Sequence, residues 1–407
     1  MPAHTSLMQA SRMRETTIRL RWVEFVGLLL YLLAATVSSS RTCHAQRTEQ
    51  RDKERAPELQ RLASVSLALR SSSGDGFGLV SGAARLASGR FAVLDATTQE
   101  IALFDSTGRY ERALSRRGRG PGELENGRWL GSAGDSIFVH DVPSRALTSF
   151  VVNGKPVRHP QASSAIDADA MQVLARLADG ALAVTPHAFR ANRARDGELA
   201  HDSIRVGIRA AGTSARVQWL GYFPSQTWVG YRHPGSGAHL ITRSRVHGVL
   251  QIAGSGDRLW IVPQGAETLL LFDGRGRLRT GIALPWSTAR ITPAAVREEH
   301  DRLARDATSA LERARISASM IPPRLPAFFP IIERLIAIAD GGVAVERFRP
   351  TDESEREYLV LSSQGEVTAR FRLPADTRLM SIAWPYLMAA RTDADGLEVV
   401  RVFRWSR

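Results

Sequence analysis

The sequence predicts an all-β fold, a six-bladed β-propeller in which each blade contains four short antiparallel strands. Two observations support this prediction. A pattern of short apolar strands and tight turns recurs along the chain at a spacing of about 40–50 residues, and an extended helical periodicity occurs in only one segment. A repeat of this length, built from strands and turns, is typical of a propeller blade.

The first repeat, at residues 83–113, shows the unit most clearly. Three apolar strands, Ala83–Leu86, Phe91–Asp95 and Ile101–Asp105, are joined by tight polar turns, and a fourth strand begins at Tyr110. The pattern recurs at residues 129–158, 171–222, 249–284 and 334–373, and a last unit begins at Arg378. Six units are therefore expected.

The two ends of the chain are expected to share the last blade. The unit that begins at Arg378 is one strand short, whereas residues 59–70, "LQRLASVSLALR", form a strand without a blade of its own. Pairing these two ends closes the ring and protects the open edges of both sheets. The predicted propeller therefore covers residues 59–407.

Residues 292–320 interrupt the strand pattern and predict a helix. Thr292 is a suitable N-cap and Pro293 suits the first helical position. One face of this helix then follows in steps of three or four residues, at Val296, His300, Leu303, Ala307, Leu311 and Ala314. We expect a helical insertion between blades 4 and 5 that lies over one face of the ring, as a strut on the blade edges or as a mobile lid.

The first 45 residues have the layout of a secretion signal. Arginines at positions 12, 14, 19 and 21 precede the apolar run Val26–Val37, and small residues lead to Ala45. This run is shorter than the roughly 20 residues of a transmembrane helix. We expect residues 1–45 to be a signal peptide, with an uncleaved membrane anchor as the alternative, and residues 46–58 to be a flexible leader. The expected location is periplasmic or secreted.

The composition gives little support for a nucleic-acid partner. The 407 residues carry a net charge of +13, and only two of the basic residues, Lys53 and Lys155, are lysines. The arginines are scattered among Asp and Glu, whereas nucleic-acid binders concentrate positive charge on one face. The single cysteine, Cys43, lies in the predicted signal peptide. The remaining chain therefore has no disulfide, thiolate metal site or cysteine nucleophile.

Residues 115–124, "SRRGRGPGEL", form a turn and not a nucleotide-binding loop. The glycines at 118, 120 and 122 lack the G-x-G-x-x-G spacing, and no Gly-Lys-Ser/Thr follows them. Gly120–Glu123 fits a type II turn instead, with proline and glycine in its two central positions. This turn falls where the chain passes from the first blade to the second.

With this turn behind a secretion signal, the chain resembles the secreted bacterial six-bladed β-propellers related to NHL-repeat proteins. The matching residues of the turn are Gly118, Gly120, Pro121, Gly122 and Glu123, and "PAFFPIIERLIAIADGGVAV" before blade 5 is similar as well. The resemblance covers residues 59–407 and implies the fold and the compartment. Related propellers include metal-dependent lactonases and esterases, whose axial cation is held by Glu, Asn and Asp oxygens.

The sequence itself favours a binding protein over such an enzyme. Asparagine is rare, the histidines are scattered singly, and neither H-E-x-x-H nor G-x-S-x-G occurs. We expect no catalytic residue, no metal and no cofactor. The alternative is a lactonase- or esterase-like hydrolase, or a lyase, that uses a single calcium-like divalent cation on the propeller axis.

Positive charge and aromatic surface recur where the innermost strands of the blades are expected to begin. The candidate ligand-binding residues are Arg119, Glu123, Arg128, Trp129, His247, Arg334 and Arg378. If these side chains point into the axial funnel, they form a ring suited to carboxylate or phosphate groups. Alternatively, each arginine reflects the composition and is solvated or paired, and Glu123 caps its own turn.

The function expected from the sequence is therefore that of an exported, non-catalytic binding or scaffold propeller. Its partner on the funnel face is expected to be anionic: a small molecule, a glycan, a peptide or a protein. No nucleic acid is expected, the membrane is a partner only if the N-terminal segment stays uncleaved, and the protein is expected to be a monomer.

Overall fold

The computed structural model of the protein describes residues 65–159, 171–186, 194–211, 216–305, 307, 309–320, 324–349 and 354–405. The chain divides into two compact units, Met1–Ala56 and Pro57–Arg407, and the described residues all belong to the second. The predicted signal peptide and leader lie outside the described residues. No helix in the described part of the chain has the length and apolar character needed to cross a membrane.

The second unit is a six-bladed β-propeller, which confirms the predicted fold. After β1 (Val65–Leu69), the first blade contains β2 (Val80–Arg85), β3 (Phe91–Asp95), β4 (Glu100–Phe104) and β5 (Tyr110–Ala113). The short strands β6 (Arg116–Arg117) and β7 (Glu123–Leu124) pair with each other in the link to the second blade. The second blade contains β8 (Gly127–Ala133), β9 (Ser136–Asp141), β10 (Ala146–Val151) and β11 (Val157–His159).

The remaining four blades follow in chain order. Blade 3 contains β12 (Met171–Arg176), β13 (Leu182–Pro186), β14 (Leu199–Arg209), β15 (Val217–Arg232) and β16 (His239–Arg243). Blade 4 contains β17 (Gln251–Ser255), β18 (Arg258–Val262), β19 (Thr268–Asp273) and β20 (Leu278–Ala283). Blade 5 contains β21 (Ile332–Ala337), β22 (Val343–Arg347), β23 (Glu355–Leu361) and β24 (Val367–Pro374), and blade 6 contains β25 (Thr377–Ala383), β26 (Tyr386–Thr392), β27 (Glu398–Arg404) and β1.

The innermost strand of every blade lines the propeller axis. These strands are β2, β8, β12, β17, β21 and β25, and together they surround one channel. We call the face at which these strands begin the front face, and the face at which they end the back face.

The two ends of the described chain meet in blade 6, as the sequence predicted. Strand β1 pairs with β27, from Val65 opposite Phe403 to Leu69 opposite Val400. The carboxylate of Glu398 accepts a hydrogen bond of 2.5 Å from the amide of Val80, at the start of β2. Blade 6 is therefore bonded both to the first described strand and to the first blade.

Blade 3 departs from the four-stranded prediction. Strand β13 pairs with β14 only from Leu182–Val184 to Gly207–Arg209. The earlier part of β14 and the later part of β15 continue beyond the front face, and β16 pairs with this extension of β15. We call residues 199–206, 222–232 and 239–243 the overhang.

The predicted helical insertion is present, but it consists of two helices rather than one. Helix α1 is Pro293–Arg305 and helix α2 is Ala310–Met320. The hydroxyl of Ser309 accepts a hydrogen bond from the amide of Glu312, which caps a second helix start in the middle of the apolar periodicity. The helices pack on each other, and α2 packs on β15 and β16 of the overhang.

The core of the propeller lies between the blades. Six buried apolar clusters each join two neighbouring blades, so the six interfaces of the ring each have one cluster. At the interface of blades 4 and 5, the fully buried indole of Trp260 donates a 3.1 Å hydrogen bond to the carbonyl oxygen of Gly341. Burying a large apolar side chain contributes about 1.5–3 kcal/mol, so these interfaces hold the ring together.

Candidate functional site

The axial channel is a cavity of about 660 Å³ that all six innermost strands line. Small residues widen it, because alanine, glycine and serine occupy most positions of its wall. Gly82 shows why one of these residues must be small: a Cβ atom there would overlap the indole of Trp129 on the neighbouring blade. Gly82 therefore leaves the room that the indole of Trp129 occupies in the channel wall.

Four arginines line the channel, and no aspartate or glutamate is among its described lining residues. Arg128 and Arg334 lie near the front face, because they are early residues of β8 and β21. Arg85 and Arg176 are the last residues of β2 and β12, so they lie near the back face. The wall of the channel therefore carries positive charge at both ends.

Three of these four guanidinium groups contact other side chains. Arg85 lies 4.4 Å from the centre of the Tyr386 ring, and Arg176 lies 3.7 Å from the centre of the Phe138 ring. Such stacking fixes a guanidinium without neutralising its charge. Arg334 forms a 3.1 Å ion pair with Glu346 and donates a 2.5 Å hydrogen bond to the carbonyl oxygen of Leu379.

Arg128 differs from the other three. Within the described part of the chain its guanidinium has no ion pair and no hydrogen bond. The side chain is exposed inside the channel but surrounded by protein, and this desolvation lowers the pKa of Arg128. Because arginine is the most basic side chain, the group stays charged, and it is the most available anion-binding group of the channel.

A smaller pocket opens beside Arg128 on the front face, between blade 3, blade 4 and the overhang; we call it the mouth pocket. Its volume is about 190 Å³. Its polar lining combines charged, amide and hydroxyl groups, namely Arg128, Gln172, Thr185, Asp202, Ser225, Gln226, Arg243 and Gln251. Arg128 thus belongs to both the channel and the mouth pocket.

The other side of the overhang borders a cleft of about 360 Å³ that contains His201 and His247. The Nδ1 atom of His201 lies 3.0 Å from the hydroxyl of Thr227, and that of His247 lies 2.7 Å from the hydroxyl of Ser244. Burial first, and then the neighbouring His201, lower the pKa of His247 from 6.5 to about 4. His247 is therefore neutral at pH 7 and adds no positive charge to the front face.

The structure places the seven predicted site residues in four different settings. Arg128, Trp129 and Arg334 line the channel, whereas His247 lies with His201 in the cleft on the other side of the overhang. Arg378 donates a 2.9 Å hydrogen bond to the carbonyl oxygen of Val80 and pairs with Glu398 at 3.0 Å. Its guanidinium therefore takes part in ring closure.

The two site residues predicted at the glycine-rich turn, Arg119 and Glu123, form ion pairs with neighbouring residues of the same segment. Arg119 pairs with Glu125 at 2.6 Å. Glu123 accepts a 2.8 Å hydrogen bond from the amide of Gly120 and pairs with Arg116 at 2.7 Å. The hydrogen bond from Gly120, and then the contact with Arg116, lower the pKa of Glu123. The structure thus agrees with the alternative that Glu123 caps its own turn.

Sequence reasoning missed Arg85 and Arg176, although a signal for them exists. They begin the segments "RLASG" and "RLADG", so they occupy the same position in the repeats of blades 1 and 3. In both blades this position is the last residue of the innermost strand. The mouth pocket had no comparable signal, because the overhang brings residues from six strands of blades 3 and 4 together.

Among the described residues, no group of three or more histidine, cysteine, aspartate or glutamate side chains could hold a metal ion.

Comparison with known proteins agrees with the fold. Residues 80–181 match the model of the family DUF5128, which is described as a 6-bladed β-propeller. No curated protein matches the sequence.

Solved structures with a similar chain trace share little sequence with this protein. A DUF4221 family member from Bacteroides vulgatus has 10% identity and a TM-score of 0.48, and the match covers 84% of this chain and 98% of that one. Virginiamycin B lyase from Staphylococcus aureus has 12% identity and a TM-score of 0.37, with 83% and 97% covered. Regucalcin, a calcium-binding protein from Agrobacterium tumefaciens, has 11% identity and a TM-score of 0.37, with 81% and 92% covered.

Proposed function

We propose that this protein is an exported, non-catalytic propeller that binds an anionic ligand in the front half of its axial channel. The observation that carries this proposal is the channel lining, in which four arginines occur with no carboxylate among the described residues. An arginine-lined cavity without competing carboxylates favours carboxylate or phosphate groups. The proposed export follows from the signal-like pattern of residues 1–45.

Arg128 is the residue to which we assign the first contact with the ligand. The other three guanidinium groups of the channel stack on rings or form ion pairs, whereas that of Arg128 has no such partner among the described residues. A hydrogen bond between charged groups contributes about 1.5–3 kcal/mol. Removing it should therefore raise the Kd of an anionic ligand by roughly tenfold or more.

The test is isothermal titration calorimetry with two oligoanions, trigalacturonate and triglutamate, and their neutral counterparts, α-1,4-galactotriose and triglutamine. We expect at least one oligoanion to bind and its neutral counterpart not to bind, at a salt concentration of about 150 mM that screens general attraction to a basic protein. Arg128→Gln should weaken this binding at least tenfold. Arg119→Gln, at an exposed arginine of the glycine-rich turn, is the matched control and should leave it unchanged.

Two results would contradict the proposal. One is equal affinity for an oligoanion and its neutral counterpart. The other is that Arg128→Gln and Arg119→Gln weaken oligoanion binding equally, which indicates nonspecific attraction to positive charge.

The metal content of the purified protein separates this proposal from the alternative of a cation-dependent hydrolase or lyase. We expect no stoichiometric divalent cation and a Tm that is the same with and without a chelator. A bound cation whose removal lowers the Tm would favour the enzyme instead.

A further inference from the structure

We propose that the mouth pocket binds the charged amino end of a zwitterionic ligand, such as an acidic amino acid or the N terminus of an acidic peptide. This inference rests on the proposed function, because it extends the anionic ligand of the channel into the neighbouring pocket. It also chooses among the anionic ligands considered above, since glycans and most small acids carry no ammonium group.

The first argument is that charges of opposite sign line this small pocket without pairing. Asp202 and Arg243 both line it, together with Arg128. Among the described residues, no ion pair joins Asp202 to either arginine, and neither arginine has an ion pair elsewhere. A ligand that carries both an ammonium and a carboxylate group satisfies both signs at once, whereas a purely anionic ligand is repelled by Asp202.

The second argument is a buried hydroxyl that lacks a partner. Ser225 lines the pocket and is 6% exposed, and its Oγ atom has no hydrogen-bond partner among the described residues. A buried polar atom without a partner costs free energy that a bound ligand can recover. Ser225 is the extra residue of a β-bulge in β15, between Pro224 and Gln226, and bulges commonly redirect a side chain towards a site.

The third argument concerns the neutral groups of the pocket. Gln172, Gln226 and Gln251 line it, and none of their amide side chains forms a hydrogen bond within the described part of the chain. An amide presents both a donor and an acceptor, which is what the N–H and C=O groups of a peptide require. The volume of about 190 Å³ suits a single amino-acid residue better than an oligosaccharide.

The two sites together define the orientation of the ligand. Arg128 lies at their junction, so a ligand that places its ammonium group near Asp202 can extend its carboxylates past Arg128 into the channel. Arg334, which lies near the front face like Arg128, then faces the anionic part of the ligand, and Arg176 and Arg85 lie deeper in the channel.

The experiment compares three probes by calorimetry: the dipeptide Glu-Glu with a free amino group, the same dipeptide with an acetylated amino group, and galacturonate. We expect the free dipeptide to bind at least tenfold more tightly than the acetylated one. Asp202→Asn should remove this difference by weakening only the free dipeptide. Asp257→Asn, at an exposed carboxylate in the turn after β17, is the control and should preserve the difference.

Ser225→Ala provides a second variant, which should weaken the free dipeptide without lowering the Tm of the unliganded protein. Equal affinity for the free and acetylated dipeptides overturns the inference, and so does a difference that persists in Asp202→Asn. Tighter binding of galacturonate than of the free dipeptide overturns it as well.

The same probes separate this inference from the proposed function. If the acetylated dipeptide and galacturonate bind in a manner that depends on Arg128, but the amino group has no effect, then the channel proposal stands and the mouth-pocket inference fails. If no carboxylate-bearing probe binds, both fail.

Discussion

At the scale of the residue, the candidate site depends on which arginines are already paired. Arg356 and Arg370, for example, form ion pairs of 2.6 Å and 2.5 Å with buried glutamates of blade 5. Arg128 has no such contact within the described chain. The sequence placed Arg128 at the start of an innermost strand, but it could not separate Arg128 from Arg378, because only the folded ring brings Glu398 to the latter.

His247 provides a prediction about pH at this scale. Its pKa of about 4 in the folded protein lies below its ordinary value of 6.5. The unfolded chain therefore binds more protons between these two values, so the contribution of neutral His247 to stability is complete above pH 6.5 and is lost as the pH falls towards 4. We expect His247→Gln to remove the loss of unfolding free energy that protonation of His247 causes at acidic pH.

The measurement is the free energy of urea unfolding at pH 7.0 and pH 4.5, together with an NMR titration of the imidazole. The loss of stability on acidification should be smaller in His247→Gln than in the natural protein. His239→Gln, at an exposed histidine, should retain the full loss. An NMR pKa of His247 near 6.5 would contradict the prediction.

At the scale of the element, the helical insertion shows where sequence periodicity reaches its limit. The apolar spacing from Val296 to Ala314 predicts one helix, and the structure divides it between α1 and α2. Val296 is buried in a cluster with Met320 and Phe329, whereas Leu311 is 38% exposed. The break arises from the cap at Ser309, a local hydrogen bond that apolar periodicity does not detect.

Buried Glu299 is expected to hold this insertion in place. Its carboxylate is 1% exposed and contacts Arg302 at 2.6 Å and Arg245 at 3.5 Å, so it connects α1 to the chain just after the overhang. Glu299→Gln should destabilise the insertion by about 1–3 kcal/mol, because hydrogen bonds to a charged group are lost inside the protein.

Hydrogen exchange resolved by segment measures this effect. Amides of 293–320 should exchange faster in Glu299→Gln, while those of the innermost strands should be unchanged. Glu312→Gln is the matched control on the second helix, because its 3.9 Å pair with Arg315 lies at the surface. Faster exchange throughout the propeller would show that the insertion supports the ring as a whole.

At the scale of the whole molecule, the ring and its closure were predictable from the sequence, whereas the overhang was not. The repeat defined six units, and the missing strand of the last unit identified residues 59–70 as its source, within which the structure places β1. The four-stranded pattern fails in blade 3 because β15 spans 16 residues and continues past its inner neighbours. Since the mouth pocket depends on this overhang, it could not be predicted from the repeat.

Leu69 provides a prediction about closure. Its side chain is fully buried in the cluster between blades 6 and 1, although it belongs to the first described strand. Leu69→Ala should lower the free energy of unfolding by about 2–5 kcal/mol, the usual range for such a change in a core. Unfolding should remain a single transition, because the ring has no independent end.

Urea unfolding followed by tryptophan fluorescence and by circular dichroism tests both parts. Leu311→Ala, at an exposed leucine of the insertion, should change the stability by less than about 0.5 kcal/mol. Transitions that separate between the two probes would contradict the expected single transition.

The closure by β1 also determines when this protein can finish folding during its synthesis. Val65 is paired with Phe403, so the blade that seals the ring needs residues from both extremes of the described chain. A ribosome delivers the first strand long before the last, and a contact so distant in sequence forms slowly. Until residues 398–404 have been synthesised, β1 has no partner strand and the ring stays open.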